Sequence, residues 1–355
     1  MLADLEKDWS VISPDSLSES WPDTITENEG IISAVGNTPL IRLNRVFPNL
    51  NFRLYAKLEA LNPGGSMKDR AALSIIRHGI ETGQIGPNSV IIESSSGNMG
   101  IGLAQACAYF KLRFICVVDT KATSQNLRLL EAYGADVDLV TEPDPQTGEF
   151  LQARLARVRS LLRSVKDSFW PNQYANTLNP QAHHQTMKEI VEAFDEQVDY
   201  LFCATSTCGT MRGCAEYIRA HNLKTKLVAV DAEGSIIFGG PSAKRLIPGH
   251  GAAVVPELYQ PGLAFEYVHV SDLACIVGCR RLIKREAILA GGSTGAVVMA
   301  VDRIKESIPA GATCVLIFAD RGERYIDTIY SDPWVKQNFG QVSHLWDEGE
   351  FNRGR

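Results

Sequence analysis

The chain has 355 residues, 45% of them hydrophobic and 21% charged, with a net charge of −6 at pH 7. That length exceeds one simple core and suits two, and the composition is that of an ordinary globular protein. The acidic balance and the lack of any basic tract exclude a nucleic-acid partner, and no apolar run approaches the ~20 residues needed to cross a bilayer. The start of the chain has no basic segment followed by an apolar block, so no secretory signal is expected and a cytoplasmic location is. None of the eight cysteines forms a Cys-x-x-Cys pair; reduced thiols and no metal site are expected.

Residues 1–30 carry eight acidic side chains against a single lysine, Lys7, with Trp9 and Trp21 among them. This predicts a loosely ordered acidic arm, with a role in oligomer contacts left open. Ordered structure is expected from Ile31, after which Gly36-Asn37-Thr38-Pro39-Leu40 makes a turn. Strands and helices then alternate. Strands are predicted over 53–58, 89–93, 113–119 and 137–140, and helices over 66–82, 98–110, 124–133 and 152–165. After Trp170 the register restarts, with helices over 181–194, 210–221, 271–286 and 295–307. The strands of this half are predicted over 200–204, 226–231 and 313–319. Residues beyond Ser331 read as a polar tail anchored by Trp334. The alternation predicts two doubly wound α/β domains with the site in the crevice between them.

Three stretches carry chemistry. Asn62-Pro63-Gly64-Gly65-Ser66-Met67-Lys68-Asp69-Arg70 ends a strand in a Pro-Gly-Gly turn and opens a helix, placing Lys68 in its first turn. A cation there opposes the helix dipole, which lowers the amine's proton affinity and suits a nucleophile or Schiff-base lysine. A surface lysine paired with Asp69 would fit the same residues. Glu93-Ser94-Ser95-Ser96-Gly97-Asn98-Met99-Gly100 is a second strand end opening a helix, whose N–H groups suit an anion, although a plain capping loop would look alike. The third is Gly291-Gly292-Ser293-Thr294-Gly295-Ala296.

Together these stretches resemble the pyridoxal-phosphate (PLP) enzymes of the cysteine synthase and cystathionine β-synthase family, fold type II, from about Ile31 to Tyr330. The resemblance implies the tryptophan synthase β-like fold. Its domains are a crossover segment over 31–60 packing with the C-terminal domain, and an N-terminal domain over 61–175 that carries Lys68 and Asn98. A C-terminal domain over 176–330 binds the PLP phosphate, and 331–355 is a tail. Lys68 becomes the Schiff-base lysine and catalytic base. Ser206, Thr207, Cys208, Gly209 and Thr210 become the phosphate cradle, a loop poorer in glycine than the family's. Ser293 matches the partner of the pyridine nitrogen, where a hydroxyl leaves the nitrogen largely neutral; a Ser-Thr cap for a helix from Ala296 would also explain it. Asn98 matches the contact to the cofactor's 3′-oxygen. Ser95, Ser96, Gly97 and Gln173 match the loop and side chain that hold the substrate α-carboxylate.

Asn172-Gln173-Tyr174-Ala175-Asn176, the run Asp231 to Gly239 and Asp320-Arg321-Gly322-Glu323-Arg324-Tyr325 resemble one branch of the family. That branch joins O-phospho-L-serine to L-glutamate, giving N-(2-amino-2-carboxyethyl)-L-glutamate and phosphate for 2,3-diaminopropionate and siderophore biosynthesis. In it Arg154, Tyr174 and Ser206 match further substrate contacts, although a solvated helix face would also account for Arg154. The resemblance implies a homodimer acting on amino acids by PLP-dependent β-replacement. The alternatives are a cysteine synthase using O-acetylserine or O-phosphoserine with sulfide, a dehydratase, and a catalytically silent regulatory paralogue. His183-His184 has no third ligand at a credible spacing and reads as structural.

Overall fold

The structure, a computed structural model, describes residues 30–347. The acidic arm with Trp9 and Trp21, and residues 348–355 of the tail, lie outside the described residues. Among the described residues two compact units emerge, one holding 30–33 and Ile75–Asn172, the other holding Ala34–Ser74 and 173–347.

The second unit is built on a six-stranded sheet in the order β1 (Leu40–Arg42), β2 (Arg53–Leu58), β10 (Thr313–Phe318), β7 (Tyr200–Ala204), β8 (Lys226–Ala232), β9 (Glu266–Val270). Only β1 and β2 are antiparallel; the other neighbours run parallel. The period-2 alternation of β10 shows why it lies at the centre. Cys314, Leu316 and Phe318 share a core with residues of α7 (Asp272–Glu286) and α8 (Gly292–Ile304). Val315 and Ile317 share another with α5 (Leu178–Glu192) and α6 (Gly209–Ala220). A parallel strand covered on both faces reads as an unbroken apolar run, and the sequence of β10 is one. The helices α7 and α8 approach so closely that a Cβ on Gly295 would lie 2.0 Å from the Cys275 carbonyl oxygen, so any side chain there would part them.

The first unit holds a parallel sheet in the order β5 (Asp136–Val140), β4 (Arg113–Asp119), β3 (Val90–Ser94), β6 (Ser168–Phe169). Around it run α2 (Asn98–Tyr109), α3 (Ser124–Ala132) and α4 (Phe150–Ser164). Val90, Ile92, Ile115 and Val117 pack with Val158 and Leu161 of α4. Thr123 caps α3 by accepting from the Asn126 N–H at 3.2 Å, and Gly134 takes φ +81° just past its end.

Three differences from the sequence expectation have physical causes. The stretch over 61–74, with Lys68, joins the crossover segment in the unit of residues 173 onward instead of the N-terminal domain, because β2 just before it pairs along its whole length with β10. The division falls inside α1 (Lys68–Glu81). The tail past Ser331 is helical: α9 (Asp332–Phe339) is capped by the Ser331 hydroxyl, buries Val335 and is followed by α10 (His344–Asp347). Trp334, Phe339, Val342 and Trp346 all pack on the second unit's core, so Trp334 is one of several anchors. The strands β1, β6 and β9 had no counterpart in the sequence reading. β6 is two residues long, and β9 is an edge strand with Tyr267 exposed, so neither carries a full apolar signature. All eight cysteines are buried free thiols. Among the described residues no helix is long and apolar enough to cross a membrane.

Candidate active site

Lys68 is the first residue of α1, as its place after the Pro-Gly-Gly turn predicts. The turn is held from several sides. Asp69 Oδ2 accepts the Gly64 N–H at 2.5 Å, Arg321 Nε donates to the Ala60 carbonyl at 2.9 Å, and Arg324 donates to the Gly64 carbonyl. Two residues beyond Lys68, Arg70 is buried and forms ion pairs with Glu59 and Glu189 at 2.7 Å each, while Lys57 meets Glu189 at 2.6 Å. The start of α1 is therefore fixed by charge-assisted bonds on the residues flanking the lysine.

Lys68 lines a cavity together with Ser206, Thr207, Cys208, Gly209, Thr210 and Ser293. The lysine, the Ser-Thr-Cys-Gly-Thr loop and the serine of the third stretch thus share one space inside the second unit, although 225 residues of sequence separate the ends of the set. Burial lowers the amine's proton affinity; the Asp320 carboxylate opposes that. The nearby thiols of Cys203 and Cys208 are each pushed up to about 12 by burial, so at neutral pH they are uncharged and leave Asp320 as the only anion in that balance. Tyr325 donates its hydroxyl to Asp320 Oδ2 at 2.5 Å.

The loop from β7 into α6 has the form of an anion cradle. Cys208, the residue before α6, sits in the left-handed region at φ +64°, which turns successive backbone N–H groups to one side. Cys208 makes no side-chain cap bond to α6, a helix of 12 residues; the Gly209 N–H is taken by Thr207 Oγ1 at 3.4 Å, and the next N–H groups of the first turn face no side-chain cap. Gly209 cannot be replaced without movement, since a Cβ there would lie 2.2 Å from Asn179 Oδ1. Asn179 Nδ2 donates to the Gln173 carbonyl at 2.8 Å and to Thr207 Oγ1 at 3.4 Å, tying the cradle to the Gln173 backbone. Ser206 Oγ donates to the Gly251 carbonyl at 3.4 Å, a bond long enough to exchange for a better acceptor. Backbone N–H groups at a helix start, two or three hydroxyls and an amine of lowered proton affinity fit a phosphorylated aldehyde at its two ends.

Ser293 lies in the first turn of α8 rather than before it. The helix begins at Gly292 with Gly291 as its cap residue and no side-chain cap bond, so the cap reading of Ser293 fails. The helix thus starts three residues before the predicted Gly295. Thr294 Oγ1, next to it, accepts the Ala319 N–H at 3.1 Å.

The remaining predicted residues divide between the units. In the first, Asn98 opens α2 after Gly97, and Ser95 Oγ accepts the N–H groups of Gly97 at 3.4 Å and Gly100 at 3.0 Å. The Ser96 carbonyl accepts from Asn126 Nδ2 at 3.0 Å. Arg154 on α4 is mostly buried and its Nε lies 3.1 Å from Asp119 Oδ2, so its charge already has a partner; a solvated helix face does not describe it. In the second unit Gln173 is buried and Tyr174 half-buried. Sequence reasoning treated His183 as merely structural, yet its Nε2 is hydrogen-bonded to Thr210 Oγ1 at 3.1 Å. Asn179, Glu189 and Asp320 also went unassigned; none carries a local signal, because what each does depends on a partner far away in sequence. His184 pairs instead with Glu216 at 3.1 Å.

A lysine of lowered proton affinity that shares a cavity with a helix-start loop after a parallel strand suits a PLP enzyme of fold type II. The profile of the family described as "Pyridoxal-phosphate dependent enzyme" matches residues 31–320, and the chain belongs to that family. It is a PLP-dependent enzyme of the β-replacement kind with the tryptophan synthase β-like fold. Solved structures similar to it include the O-acetylserine dependent cystathionine β-synthase of Helicobacter pylori, at 32% identity and TM-score 0.79, covering 85% of this chain and 98% of that one. A hydrogen sulfide-producing enzyme from Fusobacterium nucleatum shares 34% identity at TM-score 0.77, covering 83% and 97%. O-acetyl serine sulfhydrylase isoform 3 from Entamoeba histolytica shares 30% at TM-score 0.79, covering 89% and 95%.

Proposed function

We propose that the protein joins O-phospho-L-serine and L-glutamate by β-replacement, releasing phosphate and N-(2-amino-2-carboxyethyl)-L-glutamate, as a homodimer in the cytoplasm serving 2,3-diaminopropionate and siderophore synthesis. The observation that carries the catalytic part is the single cavity lined by Lys68, the loop Ser206 to Thr210, and Ser293. The cradle would hold the cofactor phosphate, Lys68 would hold its aldehyde carbon, and Ser293 would meet the ring nitrogen. PLP, when bound, supplies an electron sink for the substrate's α-carbon. Ser95, Ser96, Gly97 and Gln173 hold the substrate α-carboxylate, and Asn98 meets the cofactor's 3′-oxygen. Lys68, displaced by the substrate amine, takes the α-proton; the Cβ–O bond to phosphate breaks and the electron pair leaves with phosphate. The glutamate nitrogen then forms the new bond to Cβ, and Lys68 returns a proton to Cα. A hydroxyl at Ser293 keeps the ring nitrogen neutral, and so favours prompt departure of the leaving group over storage of charge. Arg154, Tyr174 and Ser206 contact the substrates' anionic groups. The choice of donor and acceptor rests on the resemblance of the Asn172, Asp231 and Asp320 stretches to that branch.

A second reading has support of its own. Arg154 is engaged by Asp119, and the similar structures include O-acetylserine enzymes and a sulfide producer. A cysteine synthase needs no cation for a second substrate's carboxylates. A silent paralogue is disfavoured by the intact Lys68, Asn98 and Ser293. The test is to offer the holoenzyme O-phosphoserine or O-acetylserine with glutamate or sulfide and identify products by mass spectrometry. The amine-linked product from O-phosphoserine and glutamate is expected; cysteine alone, with no product from glutamate, overturns the reading in favour of the second.

A further inference from the structure

His183 is fully buried on α5, and both its ring nitrogens have hydroxyl partners: Nδ1 with Thr186 Oγ1 and Nε2 with Thr210 Oγ1, each at 3.1 Å. The helix that carries it cannot drift. A Cβ on Gly213 of α6 would lie 2.1 Å from the Pro180 carbonyl oxygen and 2.8 Å from His183 Cβ, so α5 and α6 touch through backbone here. Burial, then the charges of Lys68 and Arg70, lower its proton affinity well below the ordinary value, and the ring is neutral.

A neutral imidazole has one N–H and one bare nitrogen, so only two arrangements satisfy this pair of hydroxyls. In the first, Nδ1–H donates to Thr186 and the Thr210 hydroxyl donates to Nε2. Thr210 then has no proton left and presents only lone pairs to the cavity it lines. In the second, the Thr186 hydroxyl donates to Nδ1, Nε2–H donates to Thr210 Oγ1, and the Thr210 proton is free to point into the cavity. A phosphate dianion accepts hydrogen bonds and offers none, so it is compatible with the second arrangement and repelled by the first.

The geometry points to His183 as a positioning residue of the phosphate cradle: in its Nε2–H tautomer it turns the Thr210 hydroxyl toward the cofactor phosphate. This rests on the reading of Ser206 to Thr210 as that cradle. Thr210 lines the cavity and His183 stands behind it; the ring removes the alternative in which Thr210 faces the anion with the wrong polarity.

Two measurements test it. Binding of PLP and of pyridoxal, which lacks the phosphate, to the apoprotein separates an effect on the anion from an effect on the fold. His183→Leu is expected to weaken PLP about tenfold, the usual loss for a hydrogen bond to a charged group, and to leave pyridoxal within about twofold. His183→Gln, whose amide reaches the Nε2 position with a donor, is expected to restore most of the loss, and adding Thr210→Val to His183→Leu to cost little more. Nitrogen NMR of the wild-type holoprotein, which needs no variant to fold, is expected to show a protonated Nε2 and a bare Nδ1 for this ring. A bare Nε2 in the holoprotein, or equal losses for PLP and pyridoxal in His183→Leu, overturns the inference. If Thr210→Val lowers the preference for PLP over pyridoxal while His183→Leu does not, the cradle reading stands and His183 drops out. If Thr210→Val and Ser206→Ala both leave that preference unchanged, the cradle reading itself fails.

Discussion

A partly buried amine at a helix start is an unusual use of lysine, and its consequence is testable at that one atom. Borohydride treatment of the yellow holoprotein should fix the cofactor to Lys68, located by peptide mapping, and Lys68→Ala should leave no covalent adduct; label on another lysine refutes the assignment. Ser293 lies in the same cavity with no cap bond to make, which leaves its hydroxyl for the ring nitrogen. Ser293→Asp puts a carboxylate there and should hold that nitrogen protonated, giving a longer-wavelength band during turnover and slower release of the leaving group. Spectra and rates that match the wild type would assign Ser293 to packing alone. Arg154 needs a paired test, because its ion pair with Asp119 is an ordinary structural explanation. If it holds a substrate anion, Arg154→Ala should keep PLP binding and lose product with glutamate by roughly ten- to a hundredfold, the scale of a charge-assisted hydrogen bond. Asp119→Asn, which keeps the cation, should lose far less. Equal losses in the two variants would make the pair structural.

Among elements, α1 and α5 show what a sequence can and cannot announce. The start of α1 was legible because Pro63, Gly64 and Gly65 punctuate the chain immediately before a helical apolar pattern, and β2, β4 and β7 were legible to the residue from their apolar runs. The start of α5 was read three residues late; Pro180 lies in its first turn, where a proline forfeits no hydrogen bond. The start of α8 was also read three residues late, since Gly292 has low helix propensity and no apolar side chain to extend the pattern. What no local pattern reveals is the clamp joining α1 to α5: Arg70 with Glu59 and Glu189, and Glu189 with Lys57. Burial pushes the Glu189 carboxyl up, but the hydrogen bonds and charge of Arg70 and the bond from Lys57 outweigh it and hold the group at about 2. A depressed folded-state value means the stabilisation is complete above the unfolded value near 4.5 and is lost as pH falls through 4.5 toward 2. Glu189→Gln removes the ion-pair partner of buried Lys57 and one of the two partners of Arg70, and should destabilise the fold by about 3–5 kcal/mol at pH 7. Denaturant melts should show the gap between variant and wild type closing as pH falls toward 2. A gap that is small at pH 7, or that persists unchanged into acid, refutes the clamp.

For the whole molecule, alternation of strands and helices announced two parallel sheets, but not which segments share one. β2 and β10 lie 260 positions apart at their paired starts, Arg53 and Thr313, and their partnership is a product of the folded core rather than of either strand's sequence. That pairing puts Lys68 in the unit that also holds the Ser206 to Thr210 loop and Ser293. A ligand stabilises whatever must stay folded to bind it, by about 2.7 kcal/mol when its free concentration is a hundred times its dissociation constant. The anchoring contacts proposed for PLP through its phosphate and its aldehyde carbon both fall on the second unit. Hydrogen exchange of apo- and holoprotein should therefore show the larger slowing in strands β2, β7 and β10 and in the start of α6. Strands β4 and β5 of the first unit should change less. Equal slowing in both sheets would mean that the two units open only together. Slowing confined to the first unit would move the phosphate site away from the β7–α6 loop, and with it the assignment of every cradle residue.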